Sequence, residues 1–201
     1  MKIKELTFVV FDFEATYNSS IGYHEIIEIG ACKLEKGTLK VIDSFSTLVK
    51  PSSSIITPIV LKTGITDLMV KNSPTIEQIW EQFWIFCQNS VMVGHQVGFD
   101  KGVIEKTTNN KNLKKINAVF LDTLGFTKKL YPNEDSYSLD NLSKKYNVEN
   151  TANHRAIGDA LTTAYIFQAI MNEMQSTFGY DTIEQIDDFL NKKDPRQTSL
   201  F

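Results

Sequence analysis

The chain has 201 residues, of which 42% are hydrophobic and 13 are Phe, enough for one sizeable core in one domain with a short appendage. A net charge of −3 excludes a chain-wide basic footprint for nucleic acid, and no stretch reaches the roughly 20 apolar residues of a membrane span. Any nucleic-acid contact must come from a local patch. Residues 101–150, with nine Lys against six Asp or Glu, offer one, although the same charges read equally well as solvated helix faces. Cys32 and Cys87 lie in apolar contexts without a CxxC partner, so buried free thiols in a reducing compartment are expected. Lys2 and Lys4 precede an apolar run too short for a signal peptide. The expectation is a soluble, cytoplasmic protein.

The first apolar run, Leu6 to Phe11, reads as a strand buried on both faces and ending in Asp12-Phe13-Glu14. In a strand, residues i and i+2 share a face, so the two carboxylates enter one small volume while Phe13 points away. Like charges that close are unfavourable unless neutralised, and a divalent cation with oxygen ligands is the obvious neutraliser. The alternative is a strand end with both acids in water, and the pair alone does not decide. Tyr17 to Tyr23 reads as a polar loop, Glu25 to Leu34 as a second strand, and Leu39 to Val49 as a third after a turn at Lys36-Gly37. Short connections make these three strands antiparallel neighbours.

Ile55 to Met69, broken by Pro58 and Gly64, suits short helices and loops. Thr75 caps a helix whose apolar residues Ile76, Ile79, Trp80, Phe83, Phe86 and Cys87 follow helical spacing, and its aromatics are core rather than a platform for bases. Short buried strands follow at Val91–Gly94 and Val119–Leu121; intervening helices make them parallel. The whole predicts an α/β fold: a mixed five-stranded sheet, three antiparallel strands then two parallel ones, flanked by helices. A boundary near Gly179 divides residues 1–178 from a polar helix, Thr182 to Lys193, and a tail containing Pro195.

Two further stretches could carry chemistry. Asp100, in Gly94-His95-Gln96-Val97-Gly98-Phe99-Asp100, follows the fourth strand directly, where α/β sheets gather functional groups; a helix N-cap is its commoner job. His154 and Asp159 open the last long helix. Five helical residues turn by about 140°, so both reach one site only if His154 sits in the preceding loop or a fraying first turn. A His near metal-bound carboxylates suits a general base for water.

Together, Asp12-Phe-Glu14, Asp100 in His-Gln-x-x-Phe-Asp, and His154-x-Ala-x-x-Asp159 resemble the three exonuclease motifs of the DEDD superfamily, in the DEDDh branch. That branch includes the proofreading epsilon subunit of bacterial DNA polymerase III and the exonuclease segment of PolC-type polymerases. Glu25-Ile-Ile-Glu-Ile-Gly-Ala, Lys62-Thr-Gly-Ile-Thr, Leu121-Asp-Thr-Leu and Tyr137-Ser-Leu-Asp-Asn-Leu look similar too, so the likeness covers about residues 6 to 172. The resemblance implies a ribonuclease-H-like exonuclease fold and two divalent cations, Mg²⁺ or Mn²⁺. Asp12 would bridge the ions, Glu14 and Asp159 would complete one coordination sphere, Asp100 would hold the second ion, and His154 would take the proton from the attacking water. It further implies 3′→5′ hydrolysis to 5′-nucleoside monophosphates.

Ala15-Thr16 replaces the usual Thr-Thr after the Glu, and Gln96 stands where Asn is usual; with Phe99, these residues would meet the substrate. Asp-Phe-Glu-Ala-Thr also looks like DEDDh enzymes acting on RNA. The final Gln197-Thr-Ser-Leu200-Phe201 resembles the bacterial sliding-clamp-binding pentapeptide, the alternative being that Leu200 and Phe201 fold back onto the domain. The leading expectation is a proofreading-type DNA exonuclease with a clamp-binding tail, with a replicative polymerase subunit as a further partner. An RNA-trimming exonuclease and a non-catalytic clamp-binding module are the alternatives.

Overall fold

In a computed structural model of the chain, residues 1–150 and 154–191 are described. After a 3₁₀ turn at Ile3–Glu5, strands β1 (Thr7–Asn18), β2 (Tyr23–Leu34) and β3 (Val41–Leu48) form an antiparallel meander. Helices α1 (Thr57–Thr63), α2 (Asp67–Val70) and α3 (Ile76–Cys87) precede β4 (Ser90–Gly94). Then come α4 (Val97–Asn110), β5 (Phe120–Asp122), α5 (Thr123–Leu130), α6 (Leu139–Tyr146), α7 (Ala156–Phe178) and α8 (Ile183–Asn191). The sheet order is β3-β2-β1-β4-β5, with β4 parallel to β1 and β5 parallel to β4. This is the mixed five-stranded sheet that the alternation of elements predicts.

Helices cover both faces. On one, Phe8 and Val10 of β1 pack with Phe167, Ile170 and Met174 of α7, and Ile183 and Ile186 of α8 join the same cluster. On the other, Val9, Phe11 and Phe13 pack with Trp80 and Phe83 of α3 and with Val103 and Ile104 of α4. The aromatics of α3 are therefore core, as their helical spacing requires. That helix starts with a capping box in which the Gln78 side chain accepts from the Thr75 N–H at 2.8 Å. Both cysteines are buried free thiols.

One expectation is corrected. The strand does not end at the acids: β1 runs on to Asn18, pairing Thr16 with Glu25 and Tyr17 with His24, so the loop shrinks to the four residues between the strands. The hairpin is held open-ended by Glu25, which accepts from Asn18 Nδ2 at 2.8 Å and from Ser52 Oγ at 2.8 Å. Those polar side chains satisfy one another, so a polar sequence still extends as strand. Among the described residues, no helix is long and apolar enough to cross a membrane. Gln197, Leu200 and Phe201 lie outside the described residues.

Candidate active site

The acids sit where β1 leaves its parallel neighbour. β4 pairs only with Thr7–Val10, so beyond Val10 one edge of β1 is uncovered while β2 still pairs on the other. The alternation that sends Phe8 and Val10 toward α7 sends Asp12 and Glu14 to the same face. Asp159, in the first turn of α7, meets them there. One carboxylate oxygen from each of Asp12, Glu14 and Asp159 lies within 4.8 Å of the others.

Asp100 approaches from the opposite side. It sits in the first turn of α4 rather than at its N-cap, is 4% exposed, and accepts the backbone N–H of Phe13. Its charge repels that of Asp12. Gln96, the N-cap of α4, takes φ +58° and is fixed there by Asp122, which accepts the Gln96 N–H at 2.9 Å and the Leu124 N–H at 2.9 Å. Asp122 thus caps α5 and anchors the turn that carries Asp100.

Four acids this close are reluctant to ionise together. Desolvation, then repulsion from Asp100, Glu14 and Asp159, hold the Asp12 carboxyl well above the usual carboxylate range. Desolvation likewise pushes Glu14 up to about 7. Asp100 is also pushed up to about 7, by desolvation, against the lowering effect of the Phe13 N–H. Asp159 is raised by desolvation and relieved by its bond from His154. Lys62 of α1 is a cation whose charge counters all four. A cluster of hard oxygen donors under mutual repulsion fits divalent cations, with Asp12, Glu14 and Asp159 as the donors best grouped to hold one.

His154 stands where the turn geometry requires, in the turn before α7, exposed, at φ +60°. Its backbone N–H donates to Asp159 Oδ2 at 3.1 Å, which places His154 against the acid cluster without sharing a helix face with Asp159. Of the substrate residues expected from sequence, Ala15 and Thr16 are buried beyond Glu14, and Thr16 Oγ1 accepts from the Ile56 N–H at 3.1 Å, tying α1 to β1. Phe99 is exposed beside Asp100.

Several positioning residues escape a reading of the motifs. Glu28, opposite Glu14 in β2, is 1% exposed and carries a carboxylate among isoleucines. It accepts from Arg155 Nη2 at 2.6 Å and Nε at 3.1 Å, and from the Ala156 N–H at 2.9 Å. A side chain of the sheet therefore supplies the N-terminal cap of α7. Gly30, opposite Asp12, allows the close approach: a Cβ there would lie 2.1 Å from the Ala156 carbonyl carbon and 2.2 Å from the Ile157 nitrogen. A lone Glu in an apolar strand run was the available signal, since a buried carboxylate needs a partner. Lys62 and Asp122 offered none beyond the family-like stretches that contain them.

Three of the nine lysines of the basic stretch are held in ion pairs: Lys111, Lys114 and Lys145 pair with Glu77, Glu81 and Glu134 at 2.7, 2.6 and 2.8 Å. Lys145 lies on α6, while Lys111 and Lys114 follow the end of α4.

The comparisons agree with this geometry. The exonuclease family RNase_T matches residues 9–167. The DNA polymerase III PolC-type of Lacticaseibacillus paracasei is 35% identical over 181 residues, 90% of this chain and 12% of that protein. The PolC-type protein of Caldanaerobacter subterraneus is 37% identical over 187 residues, 93% of this chain and 13% of its own length. The chain thus spans about an eighth of these relatives. Among solved structures, the nuclease domain of 3′hExo, a DEDDh family member bound to rAMP, superposes with a TM-score of 0.73 at 18% identity, covering 83% of this chain and 92% of that one. Exonuclease X in complex with 5′ overhanging duplex DNA gives 0.65 at 23% identity, covering 92% and 99%. These likenesses give the ribonuclease-H-like exonuclease fold. Matched over most of its length and carrying the four acids and the histidine in order, the chain belongs to the RNase_T exonuclease family.

Proposed function

We infer that the protein is a metal-dependent 3′→5′ exonuclease that removes 5′-nucleoside monophosphates from DNA, in proofreading, replication or repair. The observation that carries this reading is the meeting of Asp12, Glu14 and Asp159 within 4.8 Å, with His154 bonded to Asp159. Asp12, Glu14 and Asp159 would hold one divalent cation, and Asp12 with Asp100 a second, Mg²⁺ or Mn²⁺. Bound there, the cations would stabilise the attacking and leaving oxygens of an in-line displacement at phosphorus. His154, exposed at the mouth of the cluster, takes the proton from the attacking water. Ala15, Thr16, Gln96 and Phe99 line the approach and bind the end of the strand. Residues 1–178 form the exonuclease unit, and residues 179–201 a helix and tail. Through Gln197, Leu200 and Phe201 the tail binds a bacterial sliding clamp, which encircles DNA and so favours DNA as substrate.

A second reading, an RNA-trimming exonuclease, is favoured by Ala15 after Glu14 and by the likeness to a nuclease bound to rAMP. Labelled single-stranded DNA and RNA of one sequence, digested side by side with Mg²⁺, decide between them. DNA should be shortened from its 3′ end at least as fast as RNA, and Asp12→Ala should stop both reactions. Much faster loss of RNA would overturn the substrate; activity retained by Asp12→Ala would overturn the mechanism. Deleting residues 197–201 should abolish clamp binding while leaving digestion of short oligonucleotides unchanged.

A further inference from the structure

β5 is an edge of the sheet, and among the described residues no strand pairs with its outer side. In its parallel ladder with β4, the Met92 N–H donates to the Val119 carbonyl at 2.9 Å, so Val119 and Leu121 turn their backbone groups toward β4. The alternation leaves Phe120 with its N–H and C=O on the open side. An open edge of this kind is a template for another chain.

A groove runs along that edge. Between β5 and α8 lies a cavity of about 700 Å³, and at Val119 it meets a second, of about 610 Å³, against Trp84, Ile116 and Ala118. Val119 lines both and is 52% exposed. The first cavity is lined by four acids, Asp122, Glu184, Asp187 and Asp188, against one base, Lys129. Asp187 accepts from the neutral side-chain amide of Asn191 at 2.8 Å, and residues 179–191 contain no Lys, Arg or His. The second cavity has Lys115 as its one charged side chain. The groove is therefore negative beside α8 and mainly apolar beside Trp84.

An extended segment laid against β5 would bond Phe120 and send alternate side chains to opposite faces of the sheet. On the face shared with Leu121 they meet the acids of α8. On the other they meet Phe120, over which Lys101 already stands, 5.6 Å from the ring centroid. A cation is favoured on the first face and disfavoured on the second, where apolar groups fit. We propose that the β5 edge is a docking surface for an extended segment of a partner protein in which Lys or Arg alternates with apolar residues, added to the sheet as a further strand. The inference is independent of the exonuclease reading.

The test uses the full chain and a fluorescent, end-capped peptide of alternating Val and Lys, about seven residues long. Anisotropy at low salt should show saturable binding with a Kd of about 100 µM or tighter. Replacing every Lys by Glu should weaken it by about tenfold or more. Because alternate residues face the edge, N-methylation of one alternate set of peptide bonds should abolish binding, while methylation of the other set should change it by less than about threefold. Asp187→Lys should weaken binding by about tenfold at an unchanged melting temperature. No saturable binding at about 1 mM, equal affinity for the Lys and Glu peptides, equal effects of the two methylated sets, or full affinity in Asp187→Lys would each overturn the proposal. Binding that appears only after residues 192–201 are removed would assign the groove to the chain itself and overturn a partner there.

Discussion

The two halves of β1 share a strand, a register partner and a face, yet do opposite work. Phe8 to Val10 is paired on both edges, by β2 and β4, and its side chains, with Phe11, fill both cores. From Phe11 to Asn18 only β2 remains, and the side chains that meet the first turn of α7 become Asp12 and Glu14. The first half lowers free energy by taking apolar surface from water. The second half raises it by crowding carboxylates into the same layer. The molecule places its electrostatic strain where the sheet stops shielding the strand from solvent and ligand, directly beyond its best-packed segment.

Paired substitutions break or sharpen that contrast. Asp12→Asn should lower hydrolysis by on the order of 10⁴-fold while leaving the metal-free melting temperature unchanged or higher, because it relieves repulsion. Phe8→Ala, at a fully buried ring packed 5.2 Å from Phe167, should do the reverse, costing about 3–5 kcal/mol of stability. Denaturant unfolding alongside initial rates separates the two, and a marked loss of stability in Asp12→Asn would end the distinction. Gly30→Ala tests how closely the helix must approach the acids. Its new methyl would press on the Ala156 backbone, so stability should fall by about 3 kcal/mol, and displacement of Asp159 should cost about a hundredfold in rate. Normal activity in a stable Gly30→Ala protein would show that the helix can shift without loss.

The smallest effect is titrimetric. Glu14 and Asp100 carry carboxyls pushed up to about 7 in the folded protein, above their ordinary values. The folded state then binds more protons than the unfolded one between the ordinary carboxylate range and about 7. Stability of the metal-free protein is accordingly greatest at low pH within that window and declines as pH rises through it. The melting temperature in EDTA should fall by about 5 °C between pH 5 and pH 8, and Mg²⁺ should restore it at pH 8. A melting temperature that rises over this interval in EDTA would contradict the crowding.

The sequence made the site legible because period-two spacing puts Asp12 and Glu14 on one face, whatever the tertiary structure. The turn angle of a helix likewise forces His154 out of α7 if it is to meet Asp159. The sheet order was legible from element alternation, since helices between strands impose parallel pairing. The end of β1 was misread because Tyr17, Asn18 and the serines look like loop. Tyr17 and Asn18 extend the strand, with Glu25 across the hairpin and the distant Ser52 supplying partners for Asn18, while the serines stay in the loop. The partners of Glu28 and the field of Lys62 come from across the fold: a Glu in an apolar strand run signals that a partner is needed without naming it, and nothing local marks Lys62.

The bonds from Arg155 and Ala156 to Glu28 carry one more consequence. The last acid of the cluster is located by a graft onto the sheet as well as by the turn at His154 that leads into its helix. Relatives could therefore lengthen, shorten or rewrite the connection after Asn147 and keep Asp159 where it is, provided the Glu28 anchor and the bare Gly30 surface persist. Variation among homologues should then concentrate in that connection, while the anchor stays fixed.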